Sequence, residues 1–419
     1  MTEEKNQEMV EEFISDSVTE EPEENDAIIE EDEVVKEENP VIDQDVKEAV
    51  ESIKIEKQPE EEQSKEEPAG DDLFNEFRSF LEKRAGIVED HKVKQVIPTG
   101  IDVLDAILGG GFAVGVLNII VGQPGSGKSM LAMQTMAQGQ KQYKGRMLCA
   151  YLDSEESTTT VRLSNLGVKY PKIKPYTDIT IEKVFKFLEG MSVFKEERKI
   201  KEPSIVVWDS IANTLSEKER EASDPNQVIG YKARLLSILI PKYVAKCSMH
   251  DICFLAVNQL RDTLAMGPYA TPKDLKLMSA SKEMPGGNIL KFNAFQLVEM
   301  KIKSVIADAN ADKFGFEGII VKAKCVKNKL FPPNVEIEMV GSFTSGFSNF
   351  WTNYMFLAKH KRLQTGAWNY LVSKPETKFR TKDALKLYLS DESFKQEFDK
   401  EVKDTIQKEI VEKYNPVIE

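Results

Sequence analysis

A chain of 419 residues has room for two or three domains and for a sizeable core. No apolar run approaches the ~20 residues that span a bilayer. The first residues, Met1-Thr-Glu-Glu-Lys5, carry no apolar signal region, so membrane and exported classes are set aside and a cytoplasmic location is expected. Cys149, Cys247, Cys253 and Cys325 are scattered, and with 3 histidines they offer no metal spacing, so free thiols in a reducing compartment are expected. The net charge of −14 is uneven: residues 1–70 hold 27 acidic and 6 basic side chains, a net of −21, and the rest holds 43 and 50, a net of +7. A basic body points to a polyanionic partner, with solubilising lysines as the alternative.

Residues 1–70, Glu-dominated and free of Trp and Tyr, are expected to be a disordered acidic tail, either merely solvating or a guard that competes with nucleic acid for a basic groove. Residues 71–97 read as a short N-terminal helix and linker. Leu73, Phe74, Phe77, Phe80 and Leu81 recur at helical spacing and Gly86 ends the pattern, giving an apolar face for the chain's own body or a neighbouring subunit. Residues 98–111 are a turn, an amphipathic helix and a glycine-rich link into the buried-strand run Val116–Val121.

Gly122-Gln123-Pro124-Gly125-Ser126-Gly127-Lys128-Ser129 follows, the G-x-x-x-x-G-K-S pattern of the Walker A phosphate loop, and a helix-forming run opens at Met130. Glycines let backbone N–H groups cup phosphate oxygens, and the helix N-terminus adds partial positive charge. Lys128 reaches the β- and γ-phosphates and the Ser129 hydroxyl holds Mg²⁺, so ATP with Mg²⁺ is the expected cofactor pair.

Three more apolar strands follow: Arg146–Leu152 before Asp153-Ser-Glu155-Glu156, Ser204–Trp208 before Asp209, and Ile252–Val257 before Asn258-Gln259. Helical stretches at 181–191 and 228–246 separate them, which predicts an α/β fold with a mostly parallel central sheet and its chemistry at the carboxyl ends of the strands. Asp209 after four apolar residues is the Walker B pattern and would hold a water of the Mg²⁺ shell, although an aspartate there also serves as a helix N-cap. Glu155 is placed to activate the water that attacks the γ-phosphate, with Glu156 competing on adjacency. Gln259 would sense the γ-phosphate and pass that state to the long loop 261–287, where Tyr269, Lys273, Lys276 and Lys282 suit single-stranded nucleic acid; a mobile insertion is the alternative. A second charged loop, 215–227, precedes a helix bearing Lys232 and Arg234.

The chain resembles the RecA recombinase family, and looks closest to its bacteriophage branch, the UvsX-like proteins. The residues that carry this are Thr99-Gly100 with Leu104-Asp105, the loop 122–129, Leu152-Asp-Ser-Glu155, Leu166-Gly-Val168, Val206-Val-Trp-Asp209-Ser, Val257-Asn-Gln259-Leu-Arg261, Gly286-Gly-Asn-Ile-Leu-Lys-Phe292 and Val326-Lys327-Asn-Lys329. It covers about residues 72–350 and implies a RecA-type P-loop core (98–350) that assembles helically on single-stranded DNA, with homologous duplex DNA as second partner and ATP between subunits. Loader and single-strand-binding proteins are further partners it admits. It makes Glu155 the catalytic glutamate, Gln259 the γ-phosphate sensor, and Lys327 and Lys329 cations reaching a neighbour's ATP site. Loops 215–227 and 261–287 become the DNA-binding loops, with Arg234 and Arg261 on the strand backbone and Phe292 coupling the second loop to the interface. Arg162 stands where the family often has a tyrosine on adenine, which implies a guanidinium–π contact. The acidic run departs from the family's usual C-terminal one.

Residues 351–419 read as a small C-terminal module. Thr365–Tyr370 looks like a hairpin turn with exposed aromatics, and 380–413 is helical with Ala384, Leu385, Leu387 and Leu389 on its apolar side, a structural cap or a weak duplex-binding surface. The expected activity is DNA-stimulated ATP hydrolysis driving homologous pairing and strand exchange. A hexameric helicase or repair ATPase on the same core, or an ATP switch for a protein partner, are the alternatives.

Overall fold

The computed structural model describes residues 75–77, 79–80, 93, 95–156, 158–169, 175–262 and 282–414. The chain divides into two units, residues 1–87 and 88–419, and each is taken by itself. In the first, the described residues are helical, as the spacing predicts, and Phe77 and Phe80 are exposed. The acidic tail 1–70, and Leu73, Phe74, Leu81 and Gly86, lie outside the described residues.

In the second unit, nine strands among the described residues form one sheet: β1 (Leu117–Gly122), β2 (Leu148–Asp153), β3 (Pro175–Tyr176), β4 (Ser204–Asp209), β5 (Ile252–Gln259), β6 (Gln296–Ile306), β7 (Gly318–Asn328), β8 (Val335–Ser342) and β9 (Gly346–Phe347), in the order β9-β8-β7-β6-β1-β5-β4-β2-β3. From β6 to β3 neighbouring strands are parallel, while β7, β8 and β9 add an antiparallel meander that the sequence pattern does not reveal.

In β1, β4 and β5 both faces are buried, so these strands are largely apolar. Ile205 and Val207 face the core formed with α1 (Asp102–Leu108) and α2 (Lys128–Gln142). Val206 and Trp208 face α3 (Ile181–Glu197) and α4 (Tyr231–Met249). Residues from 351 onward lie in the same unit as the core. Their own cluster gathers Phe350, Trp351, Tyr354, Phe394 and Phe398 with Ile306 and Val340 of the sheet. The expected hairpin joins Leu363–Gln364 to Asn369–Leu371, with Trp368 exposed. Of the expected apolar side, Ala384 is buried but Leu389 is 73% exposed: five residues on in the helix Ala384–Ser390, it lies about 140° round the axis from Ala384.

Gln296 pins the link before β1. Its amide, fully buried, accepts from Ala113 N at 2.8 Å and donates to Leu108 O at 2.7 Å and Gly111 O at 3.1 Å. Gln296→Leu keeps the volume but orphans these buried backbone groups, and is expected to destabilise the chain by about 3 kcal/mol, read from the midpoint of denaturant unfolding.

Candidate functional site

Register assembles the site. Gly122 lies beside Gln259, Val257 beside Asp209, and Asp209 beside Asp153. The loop 122–129, Gln259, Asp209 and the segment ending in Glu155 therefore share the carboxyl edge of the sheet, spaced by ~4.8 Å per strand.

The loop depends on its glycines. A Cβ at Gly122 would lie 2.2 Å from the Met300 carbonyl oxygen, and Gly125 and Gly127 have φ of 76° and 83°. No side chain caps the N-terminus of α2 at Gly127, which leaves its first amides to be satisfied by something other than a capping side chain. A glycine turn with no room for a Cβ, opening into a helix N-terminus, fits a phosphate chain. Lys128 Nζ donates to Gln123 O at 2.8 Å, and burial lowers its pKa against the pull of Asp209 and Glu155.

Asp209 is 5% exposed. Burial raises its pKa, while hydrogen bonds from the Ser129 and Tyr151 hydroxyls favour its ionised form. A serine hydroxyl against a buried carboxylate is a hard-oxygen pair suited to Mg²⁺, which takes phosphate and water oxygens for its remaining positions. Among the described residues no cluster of three His, Cys, Asp or Glu side chains offers a cage of the kind built from protein alone.

The structure separates the two glutamates. Glu155 Oε1 accepts from Ser210 Oγ at 2.9 Å, Asn213 Nδ2 at 2.6 Å and Gln259 Nε2 at 3.3 Å, and Glu155 lines the cleft with Lys128, Ser129 and Asp209. Glu156, at φ 52°, turns away and accepts from Asp178 N at 3.4 Å. Gln259 thus touches Glu155, while its neighbour Asn258 donates from Nδ2 to Pro285 O at 2.8 Å, at the base of the long loop.

Arg162, exposed on the short helix Thr160–Asn165, lines the cleft with Phe343. Phe343 is 58% exposed on the turn between β8 and β9, and the sequence carries no marker for it because those strands were not legible. Ser210 did leave a signal, as the polar residue directly after Asp209; Asn213 comes four residues after it, behind Ile211 and Ala212.

The segment 215–227 is more structured than an open loop. Ser216 and Glu219 form a reciprocal capping box for the helix Glu217–Glu221, and Arg220 Nη1 meets Asp178 Oδ1 at 2.6 Å. Arg234 is exposed on α4, and Arg261 is exposed on a short strand paired with Lys282–Glu283. Lys232 feels the charge of Arg261, and a Cβ on Gly287 would sit 3.3 Å from that of Ala233, so the bases of the two loops adjoin. Tyr269, Lys273 and Lys276 lie outside the described residues, as does the side chain of Lys282.

Lys327 and Lys329 are not brought to this cleft. Lys327 pairs with Leu297 near the amino end of β6, and its Nζ donates to Lys291 O and Phe292 O, each at 2.8 Å, closing the end of α5 (Asn288–Asn293). Burial and Lys329 lower its pKa. Lys329 lies over the Phe295 ring, 5.6 Å from its centroid. Both sit at the amino edge of the parallel strands, and β1 alone separates the two edges by about 20 Å. Phe292 is 64% exposed beside them.

The RecA N-terminal domain family matches residues 83–348. Protein RecA of Thermus aquaticus is 31% identical over 254 residues, 60% of this chain and 68% of that protein. Protein RecA of Wolbachia pipientis subsp. Culex pipiens is 29% identical over 294 residues, 69% of this chain and 76% of that protein. Protein RecA of Mycoplasmopsis pulmonis is 28% identical over 315 residues, covering 75% and 86%. Together with the phosphate loop, the polar residues at the neighbouring strand ends and the six-stranded parallel core, these likenesses have one reading: the chain belongs to the RecA family.

Proposed function

We propose that the chain is a DNA-dependent ATPase that assembles on single-stranded DNA and carries out homologous pairing and strand exchange with duplex DNA. The observation that carries this is the hydrogen bond between Glu155 and Gln259, because it joins the hydrolytic edge to the strand that runs into the 261–287 loop. Phosphates rest on the amides of the loop 122–129 and on Lys128, and Arg162 and Phe343 offer flat groups to adenine. Ser129 and Asp209 would hold Mg²⁺, which would supply charge neutralisation for the phosphates. Glu155 takes the proton of the attacking water as the bond to phosphorus forms, and ADP departs.

Arg234 and Arg261 meet the DNA backbone, with Tyr269, Lys273, Lys276 and Lys282 along the second loop. A γ-phosphate drawing Gln259 away from Glu155 would reset that loop through Asn258 and Pro285. Lys327 and Lys329, at the far edge of their own sheet, serve the ATP of the next subunit in a helical assembly. The finer placement among the bacteriophage recombinases rests on overall similarity of sequence. Loader and single-strand-binding proteins would be accessory partners, and the cytoplasm the setting, the host's for a viral chain.

Hydrolysis measured with and without single-stranded DNA tests the reading: strong stimulation is expected, with open filaments rather than rings in electron micrographs. Lys128→Ala should abolish turnover. Glu155→Gln should lower kcat by at least about 10²-fold while ATP still binds. Retained DNA-stimulated turnover in either variant would sink the site assignment.

The action of the lysines across subunits has its own test. A Lys327→Ala, Lys329→Ala double variant should bind ATP normally yet lose DNA-stimulated turnover by about 10³-fold. Mixed with the Glu155→Gln chain, it should regain part of that turnover, because one chain supplies Glu155 and the next supplies the lysines. A mixture as inactive as its components would refute action in trans.

A further inference from the structure

Tyr151 is a fully buried phenol in the middle of β2. Strand alternation puts it on the α2 face of the sheet, the face that Val207 and Asp209 share on the next strand. Its hydroxyl donates to Asp209 Oδ2 at 2.5 Å and accepts a hydrogen bond from the Thr158 side chain. Thr158 N donates to Asp153 Oδ2 at 2.9 Å, and Glu155 N donates to Asp153 Oδ1 at 3.1 Å. One network therefore joins Asp209 to the segment that carries Glu155. Ser154 adds a second tie, since its Oγ accepts from Ser210 N at 2.9 Å. Asp209 also meets the Ser129 hydroxyl. A phenylalanine would fill the same space beside α2, so packing alone does not call for the hydroxyl.

We infer that Tyr151 is a positioning residue for the Mg²⁺ site. Its hydroxyl occupies one oxygen of the Asp209 carboxylate, leaves the other for Ser129 and the water shell of the ion, and ties that orientation to Glu155. This rests on the reading of Ser129 and Asp209 as the Mg²⁺ residues. Groups that orient a metal residue from behind typically change metal affinity by tens of fold when removed.

The test is equilibrium binding of a fluorescent ATP analogue by the full chain across a Mg²⁺ titration, with no turnover required. In Tyr151→Phe the Mg²⁺ concentration at half-saturation should rise about tenfold, with binding in EDTA unchanged. Thr158→Val, which leaves Asp209 intact, should shift it the same way by a smaller factor. A merely structural hydroxyl would lower the melting temperature and leave the Mg²⁺ midpoint in place, and unmoved midpoints in both variants overturn the proposal. Asp209→Asn separates the two levels. If it moves the midpoint and Tyr151→Phe does not, the role of Tyr151 alone fails; if it moves nothing, the metal reading of Asp209 fails and the role of Tyr151 with it.

Discussion

Strand register is the constraint on which this site depends. Along β4, Val206 and Trp208 turn to α3 and α4, while Val207 and Asp209 turn to α2 and the phosphate loop. A slip of one residue against β5 would send Asp209 to the wrong face. Burial on both faces makes such a slip costly, because every apolar side chain of the strand would change sides at once. The aromatic packing adds to this: Trp208 stacks on Phe254 with centroids 6.1 Å apart and planes at 5°, and Phe185 meets it edge-on. Trp208 also donates from Nε1 to Thr214 Oγ1 at 2.7 Å, and that hydroxyl donates to Ser210 O at 2.7 Å. The core side chain next to Asp209 thereby fixes the turn that delivers Ser210 and Asn213 to Glu155.

The bond between Gln259 and Glu155 is a modest one, 3.3 Å long and at the mouth of the cleft. That weakness suits a switch. A hydrogen bond to a charged acceptor is worth about 1.5–3 kcal/mol, and a γ-phosphate is an acceptor of more charge than a carboxylate. On the proposed reading Gln259 exchanges one anionic acceptor for another, so the difference between the two states stays small enough for hydrolysis to reverse it. The tie from Asn258 to Pro285 is backbone-directed and sits one residue along, three residues before the start of α5.

Much of this was legible in the sequence, and what was not has a physical reason. The phosphate loop, Asp209, Glu155 and Gln259 each lie within three residues of the end of a largely apolar run, and parallel strands buried on both faces produce such runs. β7 and β8 have one more exposed face, where Lys322 pairs with Glu336, so their charge-interrupted pattern hid the antiparallel third of the sheet and Phe343 with it. The capping box of Ser216 and Glu219 was readable as S-x-x-E, but the charge of its neighbourhood favoured a loop reading. Tyr151 was masked for the opposite reason: inside Leu148–Leu152 a phenol reads as one more apolar side chain, and only the geometry shows that its hydroxyl has a carboxylate to serve.

The position of Lys327 and Lys329 bears on why such a chain would assemble at all. Their strand is antiparallel to β6, so a pair at its carboxyl end must lie at the amino edge of the parallel sheet, away from the chain's own phosphate loop. No side-chain motion of a few ångströms reverses that, since the sheet itself intervenes. Lys327 is held by the carbonyls that end α5, and α5 follows the loop assigned to DNA and carries the exposed Phe292. A cation that acts in the next subunit's cleft and is seated on the helix leaving the DNA loop would report two conditions together, the presence of a neighbour and the state of the strand it binds. Hydrolysis would then need ATP, DNA and assembly at once.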